Sequence, residues 1–304
     1  MDKNWTASKM PRLDGKRAVV TGGNAGIGYH LALELSRAGA EVVIPARDAA
    51  RGNGARERIL AEAPGARVTV ESLDLASLAS VRAFAGRMRA EGRPLDLLLN
   101  NAGIMSLPTL QLTEDGYERQ FGTNHLGHFA LTGLLLPLLL QAPGARVVTV
   151  SSGLAAFARI DFDDLQSEKR YRPQGAYEVS KLANLYFTLE LDRRAPPGLV
   201  SVAAHPGVAA TDLPQSGPRW LYKRIFQHPS RAALSPLYAA VGAEVRGGEY
   251  YGPCGPLSFS GPPTQVKYPK RALDEATARE LWRRSEALTG VTFDLEVAPL
   301  RRAS

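Results

Sequence analysis

The string TGGNAGIG at 21–28 is where residue types and spacing first imply chemistry. Gly22, Gly26 and Gly28 permit a tight turn and let the backbone come close to a pyrophosphate. An apolar run precedes the string and an amphipathic run follows it, which reads as strand, turn, helix. In that setting the first N–H groups of the helix, with its partial positive charge, face an anion. The spacing is T-G-x-x-x-G-x-G rather than the commoner G-x-G-x-x-G, and the strand–turn–helix context gives it weight.

A second group of residues suits the other end of a dinucleotide. The next apolar strand ends in IPARD, which places Arg47 and Asp48 at the position where such folds read the adenosine ribose. An acid there binds a 2′-hydroxyl. A guanidinium fork matches a 2′-phosphate in two bonds. Arg47 therefore favours NADP(H). NAD(H) stays open, with Asp48 as the rival ribose ligand.

These groups need a scaffold, and the chain alternates in a way that supplies one. Strands are expected over 17–21, 41–45, 67–72, 95–100, 146–150 and 200–204. Several are nearly continuous in apolar residues, as strands covered on both faces are. Helical patterns lie between and after them, over 28–38, 49–61, 78–90, 116–140, 177–193 and 274–288. Alternating β and α at this spacing predicts right-handed crossovers and an α/β fold: a doubly wound, mostly parallel Rossmann-type sheet with helices on both faces. No internal repeat or low-complexity linker divides the chain, so 1–304 reads as a single domain. Its parts are a dinucleotide-binding core of about 14–207, a substrate loop of about 207–236 and a C-terminal extension of about 252–304. Prolines at 206, 214, 218, 229 and 236 mark the loop, and eight Gly and Pro residues make 252–269 read as irregular.

Composition narrows the function. Hydrophobic residues at 44% and charged residues at 22% are ordinary for a folded domain. One cysteine, Cys254, excludes an internal disulfide framework, and the five histidines show no zinc-binding spacing. The net charge of +7 is spread over helices that also carry glutamates, with no nucleic-acid-binding motif, so no nucleic acid partner is expected. The greasiest run, 131–140, is about half a membrane span and contains Pro137. Residues 1–16 have no apolar core or cleavage site, so a cytoplasmic location is expected.

Further motifs fall in a fixed order after the glycine loop: NNAG at 100–103, TNHLGHF at 123–129, VSSG at 150–153, YEVSK at 177–181 and HPG at 205–207. Together they resemble the short-chain dehydrogenase/reductase family, from about residue 14 to about 290. The ARD after the second strand, TNHLGHF and the segment 164–187 resemble its retinol-dehydrogenase-like branch, which includes the WW-domain oxidoreductases. The resemblance implies a catalytic set of Asn124, Ser152, Tyr177 and Lys181. Tyr177 is the acid/base. Lys181, one helical turn on, shares its face and should favour the phenolate together with an oxidised nicotinamide. Lys181 should also bond the nicotinamide ribose. Ser152 stabilises charge on the substrate oxygen, with Ser151 as the alternative. Asn124 holds a water between Lys181 and solvent.

The resemblance also implies the remaining cofactor contacts. Asn24 and Ile27 belong to the glycine loop, Asp74 takes the adenine amino group, and Leu75 lies beside the ring. Asn100, Ala102 and Gly103 line the cofactor, with Asn101 structural. Pro206, Gly207, Val208 and Thr211 meet the nicotinamide end. Asn24 stands where NADP-preferring members carry a basic residue. The mechanism needs no imidazole, so His125, His128 and His205 read as structural. The expected activity is hydride transfer between NADP(H) and the carbonyl or alcohol of an apolar small molecule, as a ketoreductase or alcohol dehydrogenase, in secondary metabolism for some relatives. Trp220, Leu221, Tyr222, Ile225 and Phe226 would supply apolar walls. The alternatives are a non-catalytic nucleotide-binding sensor, or an epimerase or dehydratase on the same fold. A homodimer or tetramer is compatible with the family.

Overall fold

The apolar runs become neighbours in one sheet. A computed structural model describes residues 4–207 and 227–295. Strands β1 (Arg17–Val20), β2 (Glu41–Ala46), β3 (Arg67–Ser72), β4 (Leu97–Asn100), β5 (Ala145–Val150), β6 (Leu199–Ala204), β7 (Tyr250–Pro253) and β8 (Pro263–Gln265) form an eight-stranded sheet. Its order is β3-β2-β1-β4-β5-β6-β7-β8, parallel except for the β7–β8 pair. Strand order reverses between β1 and β4, and the crevice at their C-terminal ends is where ligands of open α/β sheets bind.

Alternate side chains commit each strand to both faces. Ala18 and Val20 pack with α1 (Gly26–Arg37), α2 (Ala49–Glu62) and a later helix, while Val19 packs with helices on the other face. That other face is covered by α3 (Leu78–Ala90), α5 (Gly127–Leu139), the long α6 (Pro173–Arg194) and α9 (Glu275–Thr289). The short α4 (Arg119–Phe121) and a π turn (Gly122–Leu126) lead into α5. The expected helix over 116–140 is therefore not uniform: its entry is a wide π turn, which carries Asn124.

Two expected loops contain regular structure. Residues 252–269 were expected to be irregular, yet β7 pairs with β8 in register Pro253↔Pro263. Pro263 opens an edge strand, where a missing N–H breaks no interior ladder. Within the region 206–236, α7 (Pro229–Ala232) starts on a proline, which tolerates the first helical turn. Helix α8 (Leu234–Val241) follows and packs on β5, β6 and β7. Among the described residues no helix is long and apolar enough to cross a membrane, and no His/Cys/Asp/Glu group is placed to hold a metal ion.

Candidate active site

A cleft of about 530 Å³ opens along the C-terminal ends of β1, β2, β4 and β5. The glycine loop forms one wall. Gly22 has φ +69°, and a Cβ on Gly28 would stand 2.1 Å from the Gly22 carbonyl oxygen, so both positions require glycine. Ala25 precedes α1 and offers no side-chain cap, whereas Asp48 and Ser77 cap α2 and α3. The first N–H groups of α1 are thus left for a ligand in the cleft. Asn24, Gly26 and Ile27 line the same wall.

At one end, Arg47, Asp48 and Arg51 line the cleft beside Asp74 and Leu75. Asp48 accepts from the Arg51 backbone N–H at 3.1 Å and caps α2, which draws its carboxylate toward the helix. Asp74 accepts from the Ala76 N–H at 2.9 Å through one oxygen. The NNAG turn is arranged differently from expectation. The Asn100 side chain is fully buried and donates to Thr132, on the α5 side of the sheet. Asn101 borders the cleft with Ala102 and Gly103, and its side chain is structural as expected, donating to the Thr21 carbonyl at 2.8 Å. Strand β4 ends at Asn100, so its side chain follows the strand's alternation into the core.

The other end gathers the reactive side chains. Tyr177 lies in the second turn of α6, and Lys181 follows one turn later on the same face. Lys181 Nζ is 5.7 Å from the Tyr177 ring centroid and donates to the Val150 carbonyl at 3.0 Å. A Cβ on Gly103 would meet Asn124 Oδ1 at 3.2 Å and Lys181 Nζ at 3.3 Å, so Gly103 packs against both. Ser151 is buried and donates to the Lys181 carbonyl at 2.7 Å. Ser152 is partly exposed, accepts from the Leu154 N–H at 3.2 Å and is the side chain that acts on the Tyr177 phenol. The pair thus divides: Ser151 fixes the helix, and Ser152 faces the phenol. Asn124 accepts from the Ile104 N–H at 2.8 Å and donates to its carbonyl at 2.9 Å. It also donates to Ser180 Oγ at 2.9 Å.

Electrostatics here differ from the simple expectation. Burial pushes the Tyr177 phenol above its ordinary value, and the hydrogen bond from Ser152 only opposes this. Burial also lowers the Lys181 ammonium to about 8, so the lysine is itself poised to lose charge. Among the protein's own groups, desolvation outweighs the expected acidification of Tyr177.

Pro206 lines the cleft, while Gly207, at φ +72°, packs against the carbonyl of Phe259. Val208, Thr211 and the apolar candidates Trp220, Leu221, Tyr222, Ile225 and Phe226 lie outside the described residues.

A short chain dehydrogenase family model matches residues 16–221, which span every strand from β1 to β6 and the whole reactive cluster. The chain is a short-chain dehydrogenase. This dehydrogenase is 40% identical to retinol dehydrogenase 14 of Mus musculus over 301 residues, covering 92% of this chain and 87% of that protein. A crystal structure of a protein from Mycobacterium paratuberculosis matches with TM-score 0.81 at 41% identity, covering 96% of this chain and 99% of the other. An RhlG/NADP active-site complex from Pseudomonas aeruginosa matches with TM-score 0.64 at 25% identity, covering 82% and 96%. The dehydrogenase is thus retinol-dehydrogenase-like within its family.

Several residues of the dehydrogenase's cleft had no sequence signal. Arg51 reaches it only because α2 begins right after Asp48 and turns the third helical residue back toward the ribose end. Ile104 and Met105 line the reacting end. Their loop is latched by Gln120, which accepts from the Ser106 N–H at 2.7 Å and donates to the Pro173 carbonyl at 2.9 Å. Tyr250 is buried beside Ser151 and Tyr177. It was hidden because β7 was not expected.

Proposed function

We propose that this short-chain dehydrogenase transfers hydride between NADP(H) and the carbonyl or alcohol of an apolar small molecule. The observation that carries the reading is the convergence of Tyr177, with Ser152 next to it, and Lys181 at one end of a cleft whose other end presents Arg47 and Arg51. The residues fit a dinucleotide. The glycine cradle would be filled by a single Cβ, and α1 begins without a side-chain cap. Asp48 is engaged in capping α2, which supports a 2′-phosphate over a 2′-hydroxyl. The RhlG/NADP complex supports the same cofactor by analogy. The retinol dehydrogenases are named for an apolar alcohol, and Ile104 and Met105 give apolar wall at the reacting end.

NADP(H), when bound, supplies or accepts the hydride, and its oxidised ring places a positive charge near the phenol. In reduction, Tyr177 gives its proton to the substrate oxygen while Ser152 donates a hydrogen bond to that oxygen as charge develops on it. In oxidation the Tyr177 phenolate takes the alcohol proton. The Lys181 ammonium favours that phenolate, and after reduction, when Tyr177 has given up its proton, it can return one, a role suited to a value lowered to about 8. Asn124 fixes the loop at Ile104 and stands beside Gly103 and Lys181.

The experiment is a panel of aliphatic, aromatic and isoprenoid aldehydes and ketones, with NADPH and NADH, followed by absorbance of the reduced nicotinamide. Turnover of apolar members with an NADPH preference is expected. Cofactor binding without turnover of any member would replace the enzyme with a nucleotide sensor.

A further inference from the structure

His128 is fully buried on α5, and no step of the reaction uses it. Its two ring nitrogens nevertheless reach both halves of the cleft. Nδ1 lies 3.0 Å from the carbonyl oxygen of Asn124, in the π turn. Nε2 lies 2.9 Å from Thr21 Oγ1, at the entry to the glycine loop. A carbonyl only accepts, so Nδ1 carries the proton. Burial and the charge of Lys181 keep the ring neutral at physiological pH, with its value lowered to about 4. Nε2 is then a bare acceptor, and the Thr21 hydroxyl must donate to it.

That donation has a consequence. Thr21 Oγ1 also accepts from the N–H groups of Asn101 at 2.9 Å and Ala102 at 3.0 Å, both of which line the cleft. The hydroxyl has one proton and a second acceptor within reach, the Leu99 carbonyl at 3.1 Å. The imidazole decides which of the two receives it.

We propose that His128 is a positioning residue: one neutral imidazole that ties the dinucleotide-binding turns, through Thr21, to the Asn124 carbonyl in the π turn. This rests on the reading of the cleft as an NADP(H) site. It makes the placement of Asn101 and Ala102 and the geometry of the π turn a single unit.

Two substitutions separate the arms. His128→Asn keeps a donor at the Nδ1 position and loses the acceptor for Thr21. His128→Gln keeps an acceptor at the Nε2 position and loses the donor to Asn124. Titration of nicotinamide fluorescence and steady-state kinetics should show opposite splits. His128→Asn raises the NADPH Kd about tenfold with a smaller change in kcat. His128→Gln lowers kcat about tenfold with a smaller change in Kd. Thr21→Val added to His128→Asn should cost less in Kd than the product of the two single losses. Equal effects of both His128 variants on Kd and kcat, or fully multiplicative losses, would overturn the proposal. Should the variants fail to fold, histidine-labelled wild type still tests it, by long-range nitrogen–proton correlation with NADPH bound. A neutral ring protonated on Nδ1 is expected, and an Nε2-protonated or cationic ring overturns it. Failure of wild type to bind NADPH would instead strike the cofactor reading.

Discussion

Lys181 and Val150 are joined across the sheet–helix interface, with the buried ammonium donating to the last carbonyl of β5 at 3.0 Å. One hydrogen bond does not replace the water an ammonium loses, and its value falls to about 8 from the ordinary 10.5. At pH 7 both folded and unfolded chains hold the proton, so this shift represents a cost to the fold of roughly 3 kcal/mol. Lys181→Met should therefore raise the melting temperature of the cofactor-free protein by several degrees at pH 7 while abolishing turnover. Between pH 8 and 10.5 the unfolded chain holds more protons than the folded one, so wild-type stability gains with pH and the advantage of Met shrinks. Differential scanning calorimetry at pH 7 and 9.5 checks both. A lower melting temperature at pH 7 would contradict the argument.

The buried histidines set the acid limit. Burial lowers His125 to about 3 and His128 to about 4, both from an ordinary 6.5. Below pH 6.5 the unfolded chain binds protons that the folded chain refuses, so stability falls as pH drops toward 4. Each imidazole contributes roughly 3 kcal/mol to that loss. Chemical denaturation at pH 7 and pH 4.5 should show the decline, and His125→Gln should flatten it. An equal slope in wild type and variant would remove His125 from the account.

The proposed NADP(H) preference rests on two guanidiniums that line the cleft. Arg47→Ala and Arg51→Ala should each weaken NADPH binding about tenfold or more, as charge-assisted contacts to phosphate do, and leave NADH within about threefold. Isothermal titration with both nucleotides measures this. Equal losses for both nucleotides would sink the 2′-phosphate assignment. Asp48→Ser, which keeps an oxygen to cap α2, should leave the preference for NADPH in place.

Glycines separate by what surrounds them. Gly28→Ala meets the Gly22 carbonyl at 2.1 Å and should eliminate measurable NADPH binding. Gly86, inside α3, has nothing within 4 Å of a new Cβ, so Gly86→Ala should stabilise the fold by about 0.5–1 kcal/mol. Urea denaturation and nucleotide titration of the two variants read both effects; NADPH binding by Gly28→Ala would show that the loop is looser than described.

Much of this architecture was legible from residue patterns. The first six strands declared themselves because parallel strands buried on both faces are apolar throughout, as RAVV and LLLN are. The glycine loop, Arg47, Tyr177 and Lys181, each singled out by residue type and spacing, line one cleft. Strands β7 and β8 were hidden by Pro253 and Pro263, which an edge pair tolerates. The π turn was invisible because it differs from a helix in hydrogen bonding rather than in residue type. Asn100 turns into the core because the final residue of β4 obeys strand alternation, while Asn101 is structural as expected, its side chain tied to the Thr21 carbonyl. The direction of the Tyr177 shift escaped because pairing with Lys181 is written in the spacing, whereas burial is a property of the assembled fold.

In the proposed reaction the Tyr177 hydroxyl carries the proton. Tyr177→Phe removes that oxygen and leaves the cofactor cleft otherwise intact. Measured with NADPH and the best substrate of the carbonyl panel, the variant should bind NADPH within about threefold of wild type and lose at least about a thousandfold in kcat. Retention of a tenth or more of wild-type kcat, with NADPH still bound, would contradict the account.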